Sequence, residues 1–261
     1  MKYAIISDVH ANLEALEAVL ADMQPQAETV VCLGDIVGYN ANPNECLELV
    51  QHVCDVVIAG NHDQAACGLR PYDDFSEYAR EAMDWTRQQL TPAWYQYLRD
   101  LPITAVFGDQ WLAAHGAPWD TDEYLFHALH FRTAFLYVQE YLPQVRGCFI
   151  GHTHLPMLWE CMDNGAVSPV DVRASAHNVH ASAHNVTSRT VALQPARRYI
   201  INPGSVGQPR YGGPAASYVL LDDQTLTVEF RFVAYDVATA QDKIYDAMLP
   251  LPLAERLALG Q

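Results

Sequence analysis

Basic residues are scarce in this chain. Its 261 residues hold 15 Lys and Arg against 31 Asp and Glu, a formal charge of −16. Nucleic acids are gripped by clusters of Lys and Arg, so this balance argues against extended nucleic-acid binding. It leaves room for a small phosphorylated partner, because bound divalent cations make a local positive site on an acidic protein. Long apolar runs are missing too. None approaches the roughly 20 residues of a membrane span, and the opening "MKYAIIS" enters a strand with no charged-then-apolar leader. The expectation is a soluble, cytoplasmic protein with no membrane partner. Paired cysteines are also absent: Cys32, Cys46, Cys54, Cys67, Cys148 and Cys161 include no C-x-x-C. They read as reduced, mostly buried thiols rather than a disulfide framework or zinc knuckle. Finally, no linker divides the chain. With 50% of its residues apolar, it reads as a single domain over 1–261, able to bury a core without staples.

The first third alternates regularly. "KYAIIS", "ETVVCL" and "CDVVIA" read as strands, separated by the helical patterns "LEALEAVLADM" and "PNECLELVQH". Strands alternating with helices imply parallel pairing through right-handed crossovers, with the C-terminal strand ends opening on one edge where ligands bind. Two helices follow, "FSEYAREAMDWTRQQL" and "TPAWYQYLRDL", the second capped by Thr91 before Pro92. "ITAVFGDQWLAAH" predicts a hairpin turning at Gly108-Asp109, a helix is expected at about Arg132 to Leu142, and "GCFI" is a further strand. From Pro156 the pattern is mostly strands ("MLWECM", "GAVSPVDV", "TVAL", "RRYIIN", "ASYVLLD", "TLTVEFRFV"), closing with the helices "DVATAQDKIYDAM" and "PLAERL". The repeated "ASAHNV" at Ala174–Val179 and Ala181–Val186 carries His177, His180 and His184. It reads as a flexible loop near 173–188 rather than a metal site.

The residues just past each strand are not ordinary turn material. After the first comes "SDVHAN" with Asp8 and His10; after the second, "LGDIVGYN" with Asp35; after the third, "AGNHDQ" with Asn61 and His62. "WLAA" is followed by "HGAP" with His115, and "CFI" by "GHTH" with His152 and His154. Any one of these is explained by turn chemistry. Five in series, all ending on one edge, are not. Oxygen and imidazole donors together suit Mn²⁺, Fe²⁺, Co²⁺, Ni²⁺ or Zn²⁺. Seven donors exceed one tetrahedral site and suit two adjacent ions, with Asp35 the natural bridging carboxylate.

The ordered blocks "DVH … GDIV … GNHD … HG … GHTH", from Asp8 to His154, resemble the calcineurin-like metallophosphoesterase superfamily. "INPGSVGQPR" at Ile201–Arg210 and the "ASYVLLD" after it resemble its small bacterial and archaeal phosphodiesterase branch. The resemblance implies an α/β fold, a four-layer αββα sandwich of two mixed sheets. It implies that Asp8, His10, Asp35 and His154 hold one ion and that Asp35, Asn61, His115 and His152 hold the other, manganese being favoured in vitro. It implies in-line attack of a hydroxide held between the ions, with His62 as general acid on the leaving group.

Departures bear on the substrate. Protein phosphatases of the superfamily carry Asp-Arg-Gly after the second block, where this chain has Gly38 and Tyr39; without that Arg, protein-phosphatase activity is not expected. Near relatives read Gly-Pro where this chain has Asn40-Ala41, a change expected to loosen the loop over the site. Asn12, Tyr39 and Arg210 are candidate contacts to phosphate or leaving group. The leading expectation is a phosphodiesterase acting on small molecules or nucleotides. A phosphomonoesterase, a dinucleoside polyphosphate hydrolase and a non-catalytic metal-binding scaffold remain open. The scaffold that shares this fold lacks the acid histidine, whereas His62 is present here.

Overall fold

Alternating apolar side chains decide the layering. The computed structural model describes residues 1–172 and 186–261. In β1 (Lys2–Ile6), Tyr3 and Ile5 pack to one side and Ala4 and Ile6 to the other, as a period of two requires when both faces are covered. Parallel to β1 runs β2 (Thr29–Cys32), and parallel to that β3 (Val56–Val57). The crossovers are α1 (Leu13–Met23) and α2 (Pro43–Val53). The third strand, read from the sequence as six residues, keeps only two in the ladder. It sits at the sheet edge, with single bonds from Asp55 N to Val30 O and from Ile58 N to Cys32 O continuing the pairing.

The chain then crosses three helices, α3 (Asn61–Ala66), α4 (Glu77–Gln89) and α5 (Pro92–Asp100). Ser76 and Thr91 cap the last two, accepting from Ala79 N and Trp94 N, which satisfies a backbone donor at each helix start. Next comes the hairpin β4 (Thr104–Phe107) and β5 (Trp111–Ala114), which turns through Gly108 and Asp109 at φ 54° and 63°. After α6 (Ala128–Tyr141) and β6 (Gly147–Phe149), strands predominate: β7 (Pro156–Cys161), β8 (Val167–Val170), β9 (Val186–Ala192), β10 (Arg198–Pro203), β11 (Ala216–Asp222) and β12 (Thr227–Val233). Helices α7 (Val237–Asp246) and α8 (Leu251–Leu259) close the described chain.

Two mixed six-stranded sheets result, ordered β3-β2-β1-β11-β12-β9 and β4-β5-β6-β10-β7-β8. Three apolar cores separate four layers. Between the sheets lie Tyr3, Ile5, Trp111, Phe149, Tyr199, Ile201, Phe230 and Phe232. The outer face of the first sheet packs Ala4, Ile6 and Tyr218 against Leu16, Val19, Leu47, Ile244 and Leu257 of the helices. The outer face of the second packs Leu112, Cys148 and Ile200 against Phe131, Phe135 and Val138 of α6. This is the αββα sandwich anticipated from the resemblance.

Two boundaries differ from expectation. Helix α6 starts at Ala128 rather than about Arg132, because Phe131 is the first of its buried face, followed at helical spacing by Ala134, Phe135 and Val138. The strand read as "TVAL" begins at Val186, so 186–188 belong to β9 and not to the loop. Its Thr187, Ser188 and Arg189 are recruited by pairing with β12 at the sheet edge, not by an apolar pattern. His177, His180 and His184 lie outside the described residues. Among the described residues no helix is long and apolar enough to cross a membrane.

Candidate metal centre

The C-terminal strand ends of both sheets meet at one place. The loops after β1 and β2 are stitched together by backbone bonds from Asp8 N to Gly34 O, His10 N to Asp35 O and Ala11 N to Ile36 O. The second sheet delivers Gly151 N to His115 O. Close approach demands glycine here: a Cβ on Gly60 would overlap Asp35 Oδ1. Asp8, His10, Asp35, His152 and His154 all take left-handed backbone angles, with φ between 47° and 64°. Such conformations cost energy in non-glycine residues and persist only where the surroundings enforce them.

Donor atoms gather in two groups, Asp8–His10–His154 and Asp35–His115–His152, each within 4.8 Å of one another. Asp35 Oδ2 lies 3.6 Å from His10 Nε2 and 3.2 Å from His115 Nε2, and so sits between the groups. His154 Nε2 is 3.3 Å from Asp8 Oδ1. Asn61 begins α3 with its Oδ1 buried and without a partner. All seven residues are buried.

The far nitrogen of each imidazole in these groups is tied to a backbone carbonyl. Nδ1 of His10, His115 and His154 reaches Val37 O, Leu33 O and Gln208 O at 3.1, 2.8 and 2.6 Å, and His152 Nε2 reaches Asp122 O at 3.0 Å. Donation to those carbonyls fixes the tautomer and turns the other nitrogen's lone pair inward. As a result His10 Nε2 and His154 Nε2 face each other at 3.1 Å. Two opposed lone pairs need a positive charge between them. Protonation is a poor source, since burial pushes both imidazoles well below their usual range. The donor set therefore fits divalent cations.

The loop from Asn202 to Gln208 buttresses the assembly. Asn202 Nδ2 donates to Gly151 O at 2.6 Å, Ser205 Oγ to Asp8 O at 2.8 Å, and Gly207 N to Asp8 O at 2.9 Å. Comparison with known proteins agrees with this geometry. The profile of the calcineurin-like phosphoesterase superfamily domain matches residues 1–225. The chain belongs to that superfamily. An uncharacterised protein of Methanocaldococcus jannaschii is 34% identical over 99% of this chain and 98% of its own length. The crystal structure of a metallophosphoesterase from Sphaerobacter thermophilus is similar at 37% identity and a TM-score of 0.81, covering 100% of this chain and 99% of that one. A hypothetical protein from Pyrococcus horikoshii shares the fold at 21% identity and a TM-score of 0.76, covering 100% of this chain and 98% of that one. Members of the superfamily are binuclear-metal-dependent phosphoester hydrolases, and the two donor groups here match that requirement.

Electrostatics of the calcineurin-like site follow from its burial. Burial and the neighbouring Asp35 raise the Asp8 carboxyl to about 7. For His115, burial acts downward but is outweighed by Asp35 and Asp8, so its imidazole rises to about 10. For Asp35, burial acts upward and is outweighed by the imidazoles of His115, His62 and His10, leaving it well below the usual range. Asp35 thus favours a proton on His115 in the second group, whereas burial disfavours one on the facing His10 and His154 of the first. Cations entering near neutral pH displace protons from His115 and Asp8.

A cleft of about 330 Å³ opens above the donors, lined by Asn61, His62, His152, Tyr39, Tyr124 and Arg210 among others. His62 Nδ1 is buried without a partner against Gly38, which takes φ 94° and where a Cβ would stand 2.5 Å from that nitrogen. That leaves Nε2 as the nitrogen able to serve the cleft. The ring packs against Tyr39 and Phe75 at centroid distances of 4.6 and 4.5 Å. Tyr39 and Arg210, named from the sequence as candidate substrate contacts, both line this cleft.

Asn12 does not. Its Oδ1 accepts from Ala15 N at 3.1 Å, capping α1, and its Nδ2 donates to Gly207 O at 2.9 Å. Fully buried, it has no free group for substrate. Asn12→Ala is expected to cost about 1–3 kcal/mol, measured by urea unfolding, through the lost cap and the orphaned carbonyl. The KM should not move; a raised KM at unchanged stability would return Asn12 to the substrate. Asn40 also departs from expectation. Rather than loosening its loop, its Nδ2 donates to His10 O at 2.7 Å and pins it.

Sequence reasoning missed Asp63 and Tyr124. Asp63 Oδ1 accepts from Ile36 N and Val37 N at 2.9 and 3.2 Å, and its Oδ2 from Gly60 N at 3.0 Å, locking the Asp35 and Asn61 loops together. Its signal was present, as the last residue of "GNHD". Tyr124 stacks on His152 at 3.9 Å between centroids; a tyrosine in a long connection carries no pattern that would mark it.

Proposed function

We propose that the chain is a phosphodiesterase acting on small molecules or nucleotides, with His62 as general acid and two divalent ions, manganese favoured in vitro. The observation that carries this reading is Asp35, whose Oδ2 joins the two donor groups beneath a cleft that His62 also lines. In this reading Asp8, His10, Asp35 and His154 hold one ion, and Asp35, Asn61, His115 and His152 the other. Ions bound there would polarise a phosphoryl oxygen and lower the pKa of coordinated water.

The chain's own residues do the rest. Asp35 serves as the shared carboxylate, and its Oδ1 accepts from His62 N at 2.9 Å, so the acid's backbone is registered to the cation site. Burial lowers the His62 imidazole to about 4, making the resting ring neutral. An anionic phosphate beside it favours the imidazolium, so the proton delivered to the leaving oxygen from Nε2 is acquired with the substrate. Tyr39, Phe75 and Tyr124 form apolar walls in the cleft, suited to an ester group on each side of phosphorus. That favours diesters over monoesters.

The test uses protein purified without chelator and supplied with Mn²⁺, on bis-p-nitrophenyl phosphate, p-nitrophenyl phosphate and diadenosine tetraphosphate. The diester should be turned over at least about tenfold faster, by kcat/KM, than the monoester. Faster monoester or tetraphosphate cleavage moves the activity to those substrates. Absence of turnover on all three, with ions bound, favours a scaffold.

A further inference from the structure

Two guanidinium groups stand side by side in the cleft, and among the described residues neither is paired with an Asp or Glu. Arg210 comes from the loop after β10 and Arg256 from α8, and both line the cleft. The side-chain oxygen of Gln208 accepts from Arg210 Nη2 at 2.9 Å and from Arg256 Nη1 at 3.3 Å, a neutral brace holding two cations together. Arg256 Nε donates to the main-chain oxygen of Gln261 at 2.7 Å, while Arg210 Nε is buried without a partner. The carboxylates that also line the cleft, Asp74 and Asp122, are both taken by Arg70. Among the described residues, no Asp or Glu forms an ion pair with Arg210 or Arg256.

This is unusual in a chain with 31 acidic residues and 15 basic ones. Like charges held close in a partly buried cleft repel, and an anion between them relieves the repulsion. Burial and the charge of Arg210 hold Arg256 below its ordinary value, as such a pair requires. The brace also has a fixed relation to the cation site: the backbone oxygen of the same Gln208 accepts from His154 Nδ1 at 2.6 Å. Yet α8 contributes nothing to the two donor groups. Arg256 thus reaches the cleft from an element that holds none of the donors.

We propose that Arg210 and Arg256, braced by Gln208, form a subsite for a second phosphate of the substrate, apart from the ester that is hydrolysed. The substrate class is then a small molecule with two phosphate groups, such as a nucleotide bearing a phosphodiester at one position and a phosphomonoester at another. The proposal rests on the phosphoester-hydrolase reading for which phosphate is cleaved, but the anion site stands on its own geometry.

One arm of the test compares the p-nitrophenyl ester of thymidine 5′-phosphate with its 3′-phosphorylated counterpart, which has the same reacting phosphorus and leaving group. The added phosphate should raise kcat/KM at least about tenfold, mainly through KM, and Arg256→Met should reduce that ratio to about two or less. A second arm does not depend on turnover: inorganic phosphate is titrated by calorimetry into the full-length protein after chelation. Arg256→Met and Gln208→Glu should bind it at least about tenfold weaker than the parent, the Glu supplying an internal counter-anion. Thermal midpoints confirm that both variants fold. Equal phosphate affinity in parent and variants, no binding by the parent, or a substrate ratio untouched by Arg256→Met overturns the subsite. If neither ester is cleaved but phosphate binding still depends on Arg256, the hydrolase reading falls and the anion site is supported.

Discussion

Asp35→Asn is expected to lower bound divalent ions from two per chain to one or fewer, and to reduce diester hydrolysis by roughly 10³-fold or more. The substitution keeps shape and removes charge. It acts on both donor groups at once, since Oδ2 lies within 3.6 Å of His10 and 3.2 Å of His115. It also strips a buried imidazole pair of its counter-charge, which a neutral amide cannot replace. Metal analysis of the purified variant beside its rate gives the result. Two ions retained with near-parental activity would mean that Asp35 is not the shared ligand.

His62→Ala should behave in the opposite way. Both ions stay bound, because the His62 ring belongs to neither donor group. Activity toward an alkyl ester, whose leaving oxygen needs a proton, falls by about 10²–10⁴. Activity toward a p-nitrophenyl ester, whose leaving group departs as a stable anion, falls far less. The split between the two leaving groups is the informative quantity. An equal fall for both would assign His62 to phosphate binding, and loss of ions would assign it to holding the site together.

How far the sequence reveals this site differs from residue to residue. The seven candidate donors could be picked out because each follows an apolar strand, and parallel crossovers bring those strand ends to one edge. Their division between two ions was not readable from spacing; it came from resemblance, and the donor groups are consistent with it. The parallel half of the first sheet, β1 to β3, was legible through its β-α alternation. Strand β9 was half hidden, because Thr187, Ser188 and Arg189 sit on an edge and owe their conformation to β12. Asn12 misled for a definite reason: a polar residue shortly after a ligand serves as readily to cap the next helix, and only its bond to Ala15 N tells the two apart. Arg256 was invisible because nothing in α8 marks a residue that reaches a cleft built far earlier in the chain.

The donors are also unequally divided between the two sheets. Asp8, His10, Asp35 and Asn61 leave the first, and His115, His152 and His154 leave the second. Apolar contact between stacked sheets resists their separation but offers little against sliding. Ions shared across that seam would work like rivets, blocking shear at the end where chemistry happens. Catalytic competence and the alignment of the sandwich would then rise and fall together.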